Sequence, residues 1–201
     1  MLMYKNDEIL SFCVDFRNYK TTLIKKLEHF DKAPYGFDKG GQDMIGFKIG
    51  WFFKNLTIPV TRTGYKKIMK ATHSRNGMDL LFKGHGLSLS NHYWFKKESE
   101  NLSYDDINFF TNKWDDSFAR AILNNDYNAL SHVNLNVPDI ATAGWGVKGW
   151  IYDEEKGPRL YKLGINQSEE CLGEVLASRL AKRLFKDKDV LTYDLEKING
   201  E

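Results

Sequence analysis

Cysteine is scarce in this sequence, charge of one sign has no large surplus, and no apolar run approaches a membrane span. Cys13 and Cys171 lie far apart, each among apolar neighbours, which predicts buried free thiols rather than a disulfide or half of a metal site and suits a reducing cytoplasm. A net charge of +2, with lysines interleaved among Asp and Glu, gives no broad electrostatic case for direct nucleic-acid binding. The opening "MLMYKNDEIL" places charges where a signal peptide needs an apolar core, so no membrane partner is expected and the expected location is cytoplasmic. Internal repeats and low-complexity tracts are also missing.

What remains is the composition of an ordinary globular chain. Apolar residues make up 42% and charged residues 28% of 201 residues, enough to bury a real core as one large or two small domains. The expected class is α+β, with a mixed α/β module over residues 1–135 and a smaller unit over 138–201, a small antiparallel sheet with one long helix.

"LMYKNDEILSFCVDF" reads as a hairpin turning at Asn6-Asp7, with Ile9, Phe12, Val14 and Phe16 on its second strand. From Met44 to Leu56 apolar residues recur at helical spacing, with Phe47, Trp51 and Phe52 on one side. Pro59 ends that element, and Thr61 is positioned to cap a helix carrying Tyr65, Ile68 and Met69 inward. Gly84 and Gly86 mark a tight bend. Ser103 with Asp106 forms a capping box, and a short helix follows over Phe118 to Leu123. "NNDYNALSHVNLNVPDIATAG" is polar and loop-like.

Beyond it, "GWGVKGWIYDEEKGPRLYKLG" reads as strand, charged turn, strand. Ser168 then caps a helix with Glu169 and Glu170 in its first turn and Leu172, Val175, Leu176, Leu180 and Leu184 as its buried stripe. The closing "VLTYDLEKINGE" has the texture of a strand, Val190 to Glu196, running into an Asn199-Gly200 hairpin turn.

The order Gly-rich loop, strand, turn, strand with a lysine, helix with a glutamate has a chemical reading. Small residues let backbone amides approach phosphates, a strand lysine holds them, and a helix glutamate orients the lysine. Lys162 and Glu174 occupy the last two places, although a lysine at a strand end with a later glutamate is by spacing alone most often surface charge.

The blocks "GLSLSNHYWFKKESENLSYDDINFFTN", "GWGVKGW" and "RLYKLG" followed by "GEVLASRLAKRL" resemble the N-terminal region of HipA-like serine/threonine kinases of Gram-positive bacteria and their mobile elements. The resemblance extends back to "KGGQD" and "IPVTRTG". It implies a partial kinase N-lobe, a toxin–antitoxin setting, ATP as the cofactor with magnesium in complete members, and a cradle of Gly144, Gly146, Lys148, Gly149, Lys162 and Glu174. Gly173 departs from the Asn often found there.

No H-x-D-x-x-x-x-N and no D-F-G-like element is present, so no catalytic residue is expected in this chain, which reads as ending just inside the kinase domain. The expected partner is then another protein or a catalytic lobe on another chain. The alternative is a non-catalytic binding module that contacts a host protein or nucleic acid. Five histidines lack metal spacing, Ser88 and Ser90 lack a nucleophile context, and Tyr93, Trp94 and Phe95 read as core.

Overall fold

The computed structural model describes residues 1–164, 169–186 and 189–197, and its architecture is α+β. The N-terminal hairpin forms as the sequence predicts: β1 (Leu2–Tyr4) turns through Lys5, in the left-handed region at φ 51°, into β2 (Asp7–Asp15). β3 (Lys20–Lys26) and β4 (Tyr93–Phe95) complete an antiparallel sheet of order β3-β2-β1-β4.

Strand alternation gives this sheet a core on each face. Leu2 pairs with Phe95 and both enter one cluster, while Met3 pairs with Trp94 and both enter the other. The first cluster is closed by α1 (Gln42–Leu56), which presents Ile45, Ile49 and Phe53 inward, and by α3 (Gly77–Lys83) with Leu81 and Met78. Phe47 and Trp51, on the other side of α1, face solvent. Gly46 and Gly50 let α1 approach β3 closely: a β-carbon at Gly46 would lie 2.9 Å from the Thr21 carbonyl oxygen. Thr21 Oγ1 in turn donates to the Gly46 carbonyl at 2.5 Å.

The second cluster gathers α2 (Tyr65–Ala71), α4 (Tyr104–Ile107) and α5 (Ser117–Leu123) around Trp94, Trp114 and Phe118. α4 carries the expected capping box, with Ser103 and Asp106 bonded reciprocally. The polar stretch after α5 is not bare loop. It winds into 3-10 turns at Tyr127–His132 and Pro138–Ala141 and sends Tyr127, Leu130, Val137 and Ile140 into this core.

β5 (Lys148–Asp153) and β6 (Gly157–Lys162) form the predicted second hairpin. It lies against α5: Gly149 is so close that an added β-carbon would sit 2.8 Å from Ala119 Cβ, and the Trp114 and Tyr152 rings meet edge to face at 5.4 Å. α6 (Glu169–Leu184) follows.

Several expectations are overturned here. Thr61 does not cap α2; Gly64, at φ 81°, is the N-cap, because the chain must reverse there in a left-handed conformation. Cys13 is exposed, since it falls on the solvent side of β2 opposite Thr22. Of the expected stripe on α6 only Val175 is buried, together with Ser178; Leu172, Leu176, Leu180 and Leu184 point to solvent. On the buried side, Ser178 Oγ donates to the Val175 carbonyl and accepts from the Tyr193 amide. Residues 190–197 form no strand; Leu191 is exposed, and the segment is tied down by Tyr193, whose amide donates to Ser178 Oγ at 3.3 Å, and by Glu196, which accepts from Arg159 at 2.7 Å. Ser168 and the Asn199-Gly200 turn lie outside the described residues. No described helix is long and apolar enough to cross a membrane.

Candidate functional site

The loop entering β5 begins with Gly144 at φ 97°, a left-handed conformation that selects glycine, with the tip of Lys148 close beside it. Lys148 opens β5 and folds back over this loop, donating from Nζ to the Ala143 carbonyl at 3.0 Å. Lys162 closes β6 directly opposite it in the ladder. Opposed residues of an antiparallel pair share a face, and like charges there repel. Burial, followed by the positive fields of Arg62 and Lys162, holds the Lys148 ammonium below its ordinary value.

Lys162 has two partners. Its Nζ donates to Glu174 Oε1 at 2.7 Å, and it stands 5.0 Å from the centre of the Tyr193 ring. Burial works to depress its pKa, but the Glu174 carboxylate and Tyr193 together hold it above the usual lysine value. Glu174 is placed by the helix: one residue before the inward Val175, it sits at the rim of the buried side and reaches across to β6.

Between loop, hairpin and helix lies a cleft of ≈ 260 Å³ lined by Gly144, Gly146, Lys148, Lys162, Glu170 and Glu174 among others. The structure thus brings together five of the six residues expected from sequence. Gly149 stands apart, buried in β5 against Ala119, where it is needed for close packing. A larger cavity of ≈ 410 Å³ beside Trp94 is bordered by Glu8 and Asp106, and Asp106 is already engaged in the α4 capping box. Among the described residues its one cation, Lys96, stands among these two acids, whereas the smaller cleft has two lysines beside its two acids.

Sequence reasoning missed the supports of this loop. Arg62, almost wholly buried, donates from Nε to the Gly144 carbonyl at 2.6 Å and from Nη2 to the Thr142 carbonyl. The Thr63 amide donates to the Trp145 carbonyl at 2.8 Å. Asp139, equally buried, accepts the Trp150 amide at 2.9 Å through Oδ1, while its Oδ2 has no partner. Burial raises the Asp139 carboxyl to about 7 and lowers the Arg62 guanidinium to about 10. A lone arginine between Thr61 and Thr63 carries no sequence signal for such a role; only its burial reveals it.

Chemically, the cleft sets two lysines, paired across the ladder, beside a glycine-bearing loop; Glu174 is already bonded to Lys162, and Glu170 is the further carboxylate on its wall. Groups of His, Cys, Asp or Glu arranged for a metal are absent among the described residues. Comparison of the chain with family models, with curated proteins and with solved structures finds no match.

Proposed function

We propose that this chain holds the phosphates of ATP in a partial kinase N-lobe of the HipA-like kind, without transferring phosphate by itself. The observation that carries this reading is the Lys162–Glu174 contact of 2.7 Å inside the cleft beneath the Gly144–Lys148 loop. A strand lysine oriented by a helix glutamate beside a glycine-bearing loop is the arrangement that phosphate positioning requires.

Solvent-exposed Lys–Glu pairs are common and contribute little to stability, in the range of about 0–1 kcal/mol. This pair is different in its setting. Lys148 lies opposite Lys162 in the ladder, and an anion between the two ammonium groups relieves their repulsion. Lys162 is the direct phosphate contact in this reading, Glu174 its orienting partner, Lys148 and Gly146 the walls of the loop. ATP would supply the transferable phosphoryl group. The carboxylates that accept the substrate proton and hold magnesium in a kinase do not occur here in their H-x-D-x-x-x-x-N or D-F-G settings.

The cleft, at ≈ 260 Å³, is smaller than the roughly 300–1,000 Å³ of pockets that enclose a whole small ligand. It fits phosphates and leaves the base largely in water. Affinity is accordingly expected at about 0.1–1 mM, a binding free energy of roughly 4–5 kcal/mol. Titration with ATP and magnesium, followed by NMR on the intact chain and on Lys162→Ala, tests this. The expected result is saturable binding that Lys162→Ala abolishes, with no radiolabel transfer. Equal binding by both proteins would overturn the role given to Lys162, and no binding by either would overturn the proposal in favour of a binding module without nucleotide.

A further inference from the structure

Arg62 and Thr63 hold the loop by its carbonyls, and peptide geometry turns that into a statement about its amides. A trans peptide unit is planar, with C=O and N–H pointing in opposite directions. No peptide bond in the described chain is cis. The Gly144 carbonyl accepts from Arg62 Nε at 2.6 Å, so the N–H of the same unit, that of Trp145, points away from Arg62. The Trp145 carbonyl accepts from the Thr63 amide at 2.8 Å, so the Gly146 N–H points away from Thr63. Two successive amides, of Trp145 and Gly146, are thereby aimed off the segment that precedes α2, and both residues line the cleft.

We infer that Arg62 is the positioning residue of this loop, presetting the Trp145 and Gly146 amides as donors to a phosphate. The inference rests on the phosphate-binding reading above and extends it across the fold. The support is distant in sequence: Arg62 is separated from Thr142 by 80 positions and from Gly144 by 82. The N-terminal part of the chain therefore completes the cradle rather than merely adjoining it.

Three features fit a positioning role. Arginine supplies several donors in a rigid planar fork, which lets one side chain grip the Thr142 and Gly144 carbonyls together; lysine has no such fork. Burying a guanidinium is unfavourable unless its donors are satisfied, and here they are spent on main-chain oxygens of the loop. The same stretch is fixed from its other side: Trp150 Nε1 donates to Thr142 Oγ1 at 3.0 Å, and Thr142 Oγ1 donates to the Pro138 carbonyl at 2.8 Å. The loop is held before any ligand arrives, so less ordering entropy is lost on binding.

The test uses the full chain as Arg62→Lys, Arg62→Met and Thr142→Val, each checked for folding by its thermal transition. Arg62→Lys keeps the charge and loses the fork, whereas Thr142→Val leaves Arg62 intact and loosens the stitch to Trp150. Two readouts are taken: heteronuclear relaxation of the Trp145 and Gly146 amides without ligand, and dissociation constants for magnesium ATP and for adenosine. The expectation is that both Arg62 variants raise the picosecond–nanosecond mobility of these amides and speed exchange at the Thr63 amide. They should weaken ATP about tenfold and leave adenosine unchanged, with Thr142→Val showing a smaller change in the same direction.

Unaltered loop relaxation and unaltered ATP affinity in folded Arg62→Lys would overturn the inference. If the wild-type chain does not bind ATP, the phosphate-binding reading fails, and the ligand-free relaxation data still decide whether Arg62 orders the loop. Should both Arg62 variants unfold, Thr142→Val decides, with an unchanged loop counting against the inference.

Discussion

Replacing Asp139 by Asn should change how stability depends on pH, and the direction follows from burial. Asp139 is 2% exposed, and its carboxyl is raised from 3.8 to about 7. Burial is the main cause, the Trp150 amide and the Arg62 cation oppose it, and Asp116 adds to it. A folded-state value above the unfolded one means that the native state binds more protons between the two. Stability from this group is therefore greatest below about pH 4 and is lost as pH rises towards about 7. About three pH units at about 1.36 kcal/mol each set a ceiling of roughly 4 kcal/mol. Asn keeps an oxygen for the Trp150 amide but does not titrate. The offset between the two proteins at any one pH also contains the amide's unmet donors and the loss of a partner charge for Arg62. The slope does not. Urea unfolding of both proteins from pH 4 to 8.5 should show the Asn variant gaining on the wild type as pH rises, levelling off above about pH 7. A difference constant within about 0.5 kcal/mol across that range would refute the buried, proton-holding carboxyl.

Two further substitutions test the packing. Phe53 is fully buried, with its ring centre 4.2 Å from that of Phe95 and 5.4 Å from that of Phe82, so Phe53→Ala should cost about 3–5 kcal/mol in chemical denaturation; a loss below about 1 kcal/mol would mean that this cluster is not the core. On α6 the burial runs against hydrophobicity: Val175→Ala should cost about 1–2 kcal/mol, whereas Leu180→Ser, at a position 59% exposed, should stay within about 0.5 kcal/mol. The reverse order in the same assay would place the leucine stripe inward.

Elements whose determinants lie within a few residues were legible in the sequence. The hairpin around Asn6 needs only alternating apolar residues and a turn, α4 needs Ser103 and Asp106 three apart, and the β5–β6 hairpin needs its charged glycine-containing turn. Lys162 and Glu174 were legible as a pair because the two stand only 12 residues apart in sequence, on a strand and the helix that follows it, close enough for order to imply proximity. What the tertiary structure alone decided concerns choices between faces and between distant partners. The leucine period on α6 specifies a stripe, but which side is covered depends on what packs against it, and the residues buried are Val175 and Ser178. Residues 190–197 have the alternation of a strand, yet strand structure requires a neighbouring backbone to accept its hydrogen bonds, and among the described residues they receive none in a ladder. Cys13 has apolar neighbours in sequence and solvent beside it in space, because successive strand residues face opposite ways. Arg62 meets the loop only through the folded chain: its burial and its hold on the Thr142 and Gly144 carbonyls arise from contacts some eighty residues apart, which no local pattern encodes.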